Sequence, residues 1–254
     1  MPLPPGLPHA IVRTQAAVHL FYLHGFASSA GSSKAAFFAA KLREHGLALH
    51  TPDFNVPDFS TLTVTRMVDQ VVAEIEALPP GPVVLIGSSL GAFVAVAVAG
   101  RLKSAPTGAA GAGSVTSASA PGGRQVDRLV LLAPALEFAT RRDFQLGDRS
   151  LEEWERTGTT NVFHYGYGRV VPVHYALYVD ACGYDCLNAA LDLPIQVFMG
   201  RKDSVVDPAG VERWARRRPN VELHLLDDDH QLGASLEFMW REMHRFLALQ
   251  TPNS

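Results

Sequence analysis

The chain has 254 residues, 47% hydrophobic and 19% charged, enough for one large domain with a sizeable buried core. A formal net charge of −3 with no long basic run argues against nucleic acid or an anionic membrane as partner. Met1 to Ala17 is proline-rich without a basic segment leading into an apolar run. No stretch is long and apolar enough to span a bilayer, so a soluble cytoplasmic protein is expected.

Val18 to Leu23 reads as a buried strand, followed by His24-Gly25-Phe26 and a small-residue loop to Ser33. Lys34 to His45 has helical spacing, and Gly46 marks its end. Leu47 to Thr51 is a second strand. Thr61 to Leu78 repeats apolar residues at Leu62, Met67, Val68, Val71, Val72 and Ile75, a helix with one buried face. Val83 to Ile86 is the next strand, and Leu90 to Leu102 a nearly all-apolar helix. Leu129 to Ala133, Ile195 to Met199 and Val221 to Leu226 read as strands. Asp207 to Arg218 and Ser235 to Leu249 are the amphipathic helices between and after them. Strands alternating with helices predict a single α/β domain over residues 1–254, doubly wound around a mostly parallel sheet of about six strands.

Two segments break the alternation. Residues 104–123 are almost entirely Ala, Gly, Ser, Thr and Pro, and read as a flexible surface loop. Residues 137–193 are too long for a plain connection and read as a lid inserted over the pocket. The insert starts with a capped helix, Ser150 and Glu153 forming a capping box and Gly158 ending it. It then turns aromatic at Phe163, Tyr165, Tyr167, Tyr175 and Tyr178; these rings either face a pocket or only pack the insert against the body.

Gly87-Ser88-Ser89-Leu90-Gly91 stands between the third strand and the apolar helix. A serine on such a turn has its hydroxyl pushed clear of the backbone, and any Cβ at Gly87 or Gly91 would clash where helix and strand pass. Read alone, this G-x-S-x-G pattern arises by chance roughly one time in ten in a chain this long. Ser89 also needs a base, normally histidine, and a carboxylate to orient it. Asp203 lies in the turn beyond the Ile195 strand; its competitor Asp207 precedes Pro208 and reads as a helix cap. Of the later histidines, His224 lies within a strand and His244 on the last helix, while His230 lies on the loop after the last strand. Asp227, Asp228 and Asp229 invite a metal reading, but consecutive loop residues rarely all face one ion and no second ligand cluster appears, so no metal is expected there. Cys182 and Cys186 lack a second ligand pair, so neither zinc nor a disulfide framework is expected. Backbone N–H groups of Leu90 and Phe26 would hold an oxyanion, with His24 supporting the Phe26 loop.

Leu23-His24-Gly25-Phe26, Gly87-Ser88-Ser89-Leu90-Gly91, Gly200 with Asp203, and Asp229-His230 together resemble the α/β-hydrolase superfamily, and within it the small bacterial serine esterases. The likeness covers most of Leu20 to Leu249. A single glycine replaces the longer H-G-G-G run of the hormone-sensitive-lipase branch, and the N-terminal part is too short for the superfamily's first two antiparallel strands. The resemblance implies a cytoplasmic enzyme cleaving carboxylic esters of short-to-medium acyl chains, with Ser89, Asp203 and His230 as triad, Phe26 and Leu90 as oxyanion donors, and no metal or organic cofactor. An acyl thioesterase uses the same route, with Arg141, Arg142 and Arg169 placed to meet a nucleotide. The same fold also serves non-catalytic binding proteins.

Overall fold

The computed structural model describes residues 18–104, 124–140 and 146–249. Six strands form one parallel sheet: β1 (His19–Leu23), β2 (Leu49–His50), β3 (Val83–Ser88), β4 (Val126–Leu132), β7 (Ile195–Gly200) and β8 (Val221–Leu226). Their order across the sheet is β2-β1-β3-β4-β7-β8. The chain reverses direction at β1. Right-handed crossovers therefore put α1 (Ser33–Glu44), which packs on α7 (Leu236–Phe246), on one face. They put α2 (Val64–Ala77) and α3 (Leu90–Ser104) on the other. Every residue of β1, β3 and β7 is buried, as continuous apolar runs covered on both faces require. The doubly wound parallel sheet matches the expectation from the alternation. Among the described residues no antiparallel strand joins this sheet.

Capping sets where the helices start. Thr63 receives the Arg66 N–H at the head of α2, and Asp207 receives Ala209 and Gly210 ahead of α6 (Pro208–Arg216). The segment between β4 and β7 holds α4 (Leu151–Thr157), β5 (Thr159–His164), β6 (Arg169–His174) and α5 (Ala176–Ala181). The Ser150–Glu153 capping box and left-handed Gly158 are both present. The antiparallel β5–β6 hairpin has no counterpart in the sequence reading. The aromatic residues divide: Tyr175 and Tyr178 pack on Trp154, while Phe163, Tyr165 and Tyr167 stand exposed on or beside the hairpin turn. Residues 105–123, most of the Ala/Gly/Ser loop, lie outside the described residues. Among the described residues no helix is long and apolar enough to cross a membrane.

Two glycines let α3 run directly over the sheet. A Cβ on Gly91 would sit 2.0 Å from the Leu23 carbonyl oxygen, and one on Gly87 would sit 2.5 Å from the Ala92 Cα. Both obstacles are backbone and cannot rotate away. At the end of β1, His24 is 3% exposed. Its Nε2 accepts the Phe54 N–H at 3.1 Å, leaving Nδ1–H to donate to the Gly25 carbonyl at 2.9 Å. Burial holds its pKa below the ordinary 6.5, against the nearby Asp53.

Two outcomes follow. Gly91→Ala should destabilise the protein by on the order of 3 kcal/mol, read as a drop in urea midpoint; an unchanged midpoint would contradict the close passage. The unfolded chain protonates His24 near 6.5 while the folded one resists. The unfolded state then binds more protons, so stability falls as pH drops below about 6.5. Urea midpoints at pH 7.5 and 5.5 should differ less in His24→Asn than in the parent; equal differences would contradict a buried neutral ring.

Candidate active site

The carboxyl ends of β1, β3, β7 and β8 share one edge of the sheet, and a residue singled out from the sequence follows each. Leu23 pairs in register with Gly87, and Gly200 with Leu226. Through β4, Ser88 lies level with Phe198, so β7 and β8 run on past the exits of β1 and β3 before they turn. The edge lies where the strand order reverses, between β1 and β3, where open α/β sheets leave a crevice.

Ser89 sits between β3 and α3 with a left-handed φ of 55°, a conformation that costs a non-glycine residue about 1 kcal/mol or more. Its N–H donates to the Leu132 carbonyl at 2.9 Å, and Gly87 and Gly91 clear the space for the turn. Ser88, its neighbour, is buried beside the Tyr22 hydroxyl.

His230 bridges Ser89 and Asp203. Its Nδ1 lies 2.7 Å from Asp203 Oδ2, and its Nε2 lies 3.1 Å from Ser89 Oγ. A carboxylate only accepts, so Nδ1 carries the proton and Nε2 is left to accept from the serine hydroxyl. The other Asp203 oxygen accepts the Val205 and Val206 N–H groups, both at 2.8 Å, so the acid is fixed by its own turn. The competitors lie elsewhere. Asp207 caps α6. His224 bonds Glu222, and His244 packs against His45 and Trp240.

The three loop aspartates diverge. Asp227 pairs with Lys202, Asp228 accepts the Ser235 hydroxyl, and Asp229 accepts the Gln231 N–H. Among the described residues Glu222, His224 and Glu242 bring ligand atoms within 4.8 Å of one another. The Arg245 guanidinium contacts both of those carboxylates and already supplies a cation there. Cys182 and Cys186 are free thiols, and burial pushes Cys186 up to about 12.

Ser89, His230, Phe26 and Leu90 all line one cavity of about 780 Å³. Gly25 brings the first loop against the nucleophile turn: a Cβ there would meet the Ser88 carbonyl oxygen at 3.1 Å and Ser89 Cβ at 3.3 Å. Among the described residues neither the Phe26 N–H nor the Leu90 N–H finds an acceptor. The cavity lining includes apolar Leu136, Phe138, Leu187, Val206 and Trp214 and polar Ser28, Ser29, Ser32, Lys34 and Gln231. The sequence reading passed over two residues of the lining, because neither belongs to a motif. Burial pushes the Tyr22 hydroxyl up to about 12, opposed by the nearby Ser32 and Ser88 side chains. Lys34 donates to the Gln231 carbonyl at 2.8 Å, tying α1 to the loop that carries His230. Burial lowers its pKa, opposed by Asp229, Asp228 and Asp203. Of the exposed hairpin rings only Tyr165 reaches the cavity. Arg141 and Arg142 lie outside the described residues, and Arg169 sits over the Tyr167 ring.

Comparison with known proteins agrees with this architecture. The family model described as "Alpha/beta hydrolase family" matches residues 20–247. No curated protein matches the chain. Among solved structures the chain is similar to Est1E from Butyrivibrio proteoclasticus, solved with ferulic acid bound. The identity is 15% and the TM-score 0.72, over 94% of this chain and 91% of that one. It is also similar to alpha/beta hydrolase domain-containing protein 10 from mouse, at 18% identity and TM-score 0.65 over 91% and 89% of the two chains. A third likeness is to the metagenome-derived lipolytic enzymes LipS and LipT, at 16% identity and TM-score 0.63 over 93% and 96%. With six parallel strands in this order and a family match spanning 20–247, the chain belongs to the alpha/beta hydrolase family.

Proposed function

We propose that the protein is a serine hydrolase that cleaves carboxylic esters through an acyl-enzyme intermediate. The observation that carries this is His230 within hydrogen-bond reach of both Ser89 and Asp203. Ser89 Oγ attacks the ester carbonyl as His230 Nε2 takes its proton. Asp203 holds the ring and stabilises the imidazolium. The Phe26 and Leu90 N–H groups, free of other acceptors among the described residues and beside Ser89, receive the oxyanion, aided by the N-terminal end of α3. The imidazolium returns the proton to the departing alcohol. Water, deprotonated by His230, then releases the acid and restores Ser89. No step calls for a metal or organic cofactor.

The cavity favours an ester larger than an acetate. Its volume of about 780 Å³ falls in the range of sites that bury drug-sized molecules, and its apolar lining residues suit an acyl chain or ring. Est1E with bound ferulic acid and the lipolytic LipS and LipT make ester cleavage the favoured chemistry over thioester cleavage. The insert over residues 137–193 borders the cavity through Leu146, Tyr165 and Leu187 and would act as its cover.

Ser89→Ala and His230→Ala should each lower kcat toward p-nitrophenyl esters by on the order of 10⁶. A fluorophosphonate should label the parent at Ser89 and leave Ser89→Ala unlabelled. Hydrolysis surviving in Ser89→Ala would contradict the assignment, and folded parent that takes no label would favour a non-catalytic binding protein. Along the series from p-nitrophenyl acetate to hexanoate, kcat/KM should rise by up to about fourfold per methylene, the value of burying one CH₂. A flat series would contradict an apolar acyl site. An acyl-CoA preference of several hundred-fold over these esters would replace the ester reading with a thioesterase.

A further inference from the structure

The Phe26 amide belongs to a turn that cannot hold itself. Ala27, the next residue, is buried with a left-handed φ of 54°, a strained state for any residue with a Cβ. Within the turn the closing bond is long, Ser28 N–H to Gly25 carbonyl at 3.3 Å. A strained conformation persists where the surroundings over-determine it. Here the surroundings are distant in sequence. Tyr165 N–H donates to the Ala27 carbonyl at 2.9 Å, and Asn55 Nδ2 donates to the Ser28 carbonyl at 2.9 Å.

Asn55 is in turn held by the β5–β6 hairpin. His164 Nε2 lies 3.0 Å from Asn55 Oδ1, and His164 Nδ1 accepts the Tyr167 N–H at 3.1 Å. That backbone donor leaves Nδ1 no proton, so Nε2–H donates to Asn55. The Asn55 oxygen is thereby fixed toward His164 and its NH₂ toward Ser28. The chain runs one way, from Tyr167 N–H through His164 and Asn55 to the Ser28 carbonyl. Asn55 is 5% exposed and His164 0%, so water does not compete for these bonds. Tyr167 stacks on the His164 ring at 3.8 Å and Phe59 meets it edge-on at 4.5 Å, which prevents the ring from turning. Gly166 closes the contact: a Cβ there would meet Ser29 Cβ at 3.0 Å and the Ser28 carbonyl oxygen at 3.3 Å.

We propose that Asn55 and His164 are positioning residues that hold the Phe26 amide in the oxyanion hole by relaying the β5–β6 hairpin onto the turn 25–28. Neither side chain lines the cavity; both act through the turn. The hairpin is then part of the hole's foundation. Were it to swing away, the Phe26 donor would lose its place with it. The effect on rate rests on the ester-hydrolase reading above; the effect on the turn rests on geometry alone.

Removing one oxyanion donor costs about 10²–10³ in kcat, so displacing one should cost roughly 10- to 100-fold. Asn55→Ala and Asn55→Asp, which cannot donate to Ser28, should show that loss with KM within about twofold, since the donor acts on the transition state. His164→Gln keeps a donor toward Asn55 and should retain more kcat than His164→Phe. The backbone amide resonance of Phe26 should move in both Asn55 variants, and in His164→Phe more than in His164→Gln. An Asn55→Ala protein with kcat within about twofold of the parent overturns the proposal, whether or not the resonance moves. So does a rate loss carried by KM in step with a falling Tm, which marks a merely structural role. If Asn55→Ala does not fold, the two His164 variants decide by the same readouts. If the parent hydrolyses no ester, the acyl-transfer reading fails, and the Phe26 resonance alone decides whether the relay sets the turn.

Discussion

The structure depends on how closely α3 passes over β1. At Gly91 the helix backbone lies where a Cβ would be 2.0 Å from the Leu23 carbonyl oxygen. That contact brings the exits of β1 and β3 together. It lifts Ser89 onto a left-handed turn at the head of α3, and it sets the loop after β1 beside that turn. A single methyl group at the crossing would push these apart. The same device recurs at the other half of the site. A Cβ on Gly200 would come within 2.5 Å of the Asp228 and Asp229 carbonyl oxygens, so the loop after β8 leans onto the end of β7. Asp203 and His230 meet because those two backbones can touch.

The polar atoms follow from these backbone approaches. Asp203 is fixed by two N–H groups of its own turn and has one oxygen left for His230. The His230 loop is tied down by Lys34 from α1 through the Gln231 carbonyl. On the far side, His24 and the proposed Asn55–His164 relay brace the turn that carries Phe26. Ser89, His230 and Phe26, the proposed nucleophile, base and oxyanion donor, thus sit on three separately anchored loops. In the proposed reaction this matters because donors and base must already be in place when charge develops, without reorganisation at that moment.

The sheet and the nucleophile turn were legible because their signals are local. Apolar runs bounded by Gly and Pro mark buried strands, and glycines at 87 and 91 flank one serine. Asp203 and His230 were legible by elimination, as residues on loops just past predicted strands. The hairpin was not. Thr159–His164 alternates buried and exposed, but the exposed positions include Phe163, and its partner strand carries Pro172. Both features blur the two-residue period. Asn55 and His164 could not be found from spacing, because 109 residues separate them and only the folded insert makes them neighbours. His24 was read as loop support from chain order alone, and its bonds to Gly25 and Phe54 supply the physical content of that role.

The central claim is that Ser89 becomes covalently acylated during turnover. Stopped-flow mixing with excess p-nitrophenyl hexanoate, quenched in the first turnovers and digested for mass spectrometry, tests it directly. The account predicts a burst of p-nitrophenol approaching one equivalent per chain when deacylation is the slower step. It predicts hexanoyl mass on the peptide containing Ser89 and on no other. Steady turnover with every Ser89 peptide unmodified, or with the acyl group on another residue, would contradict it.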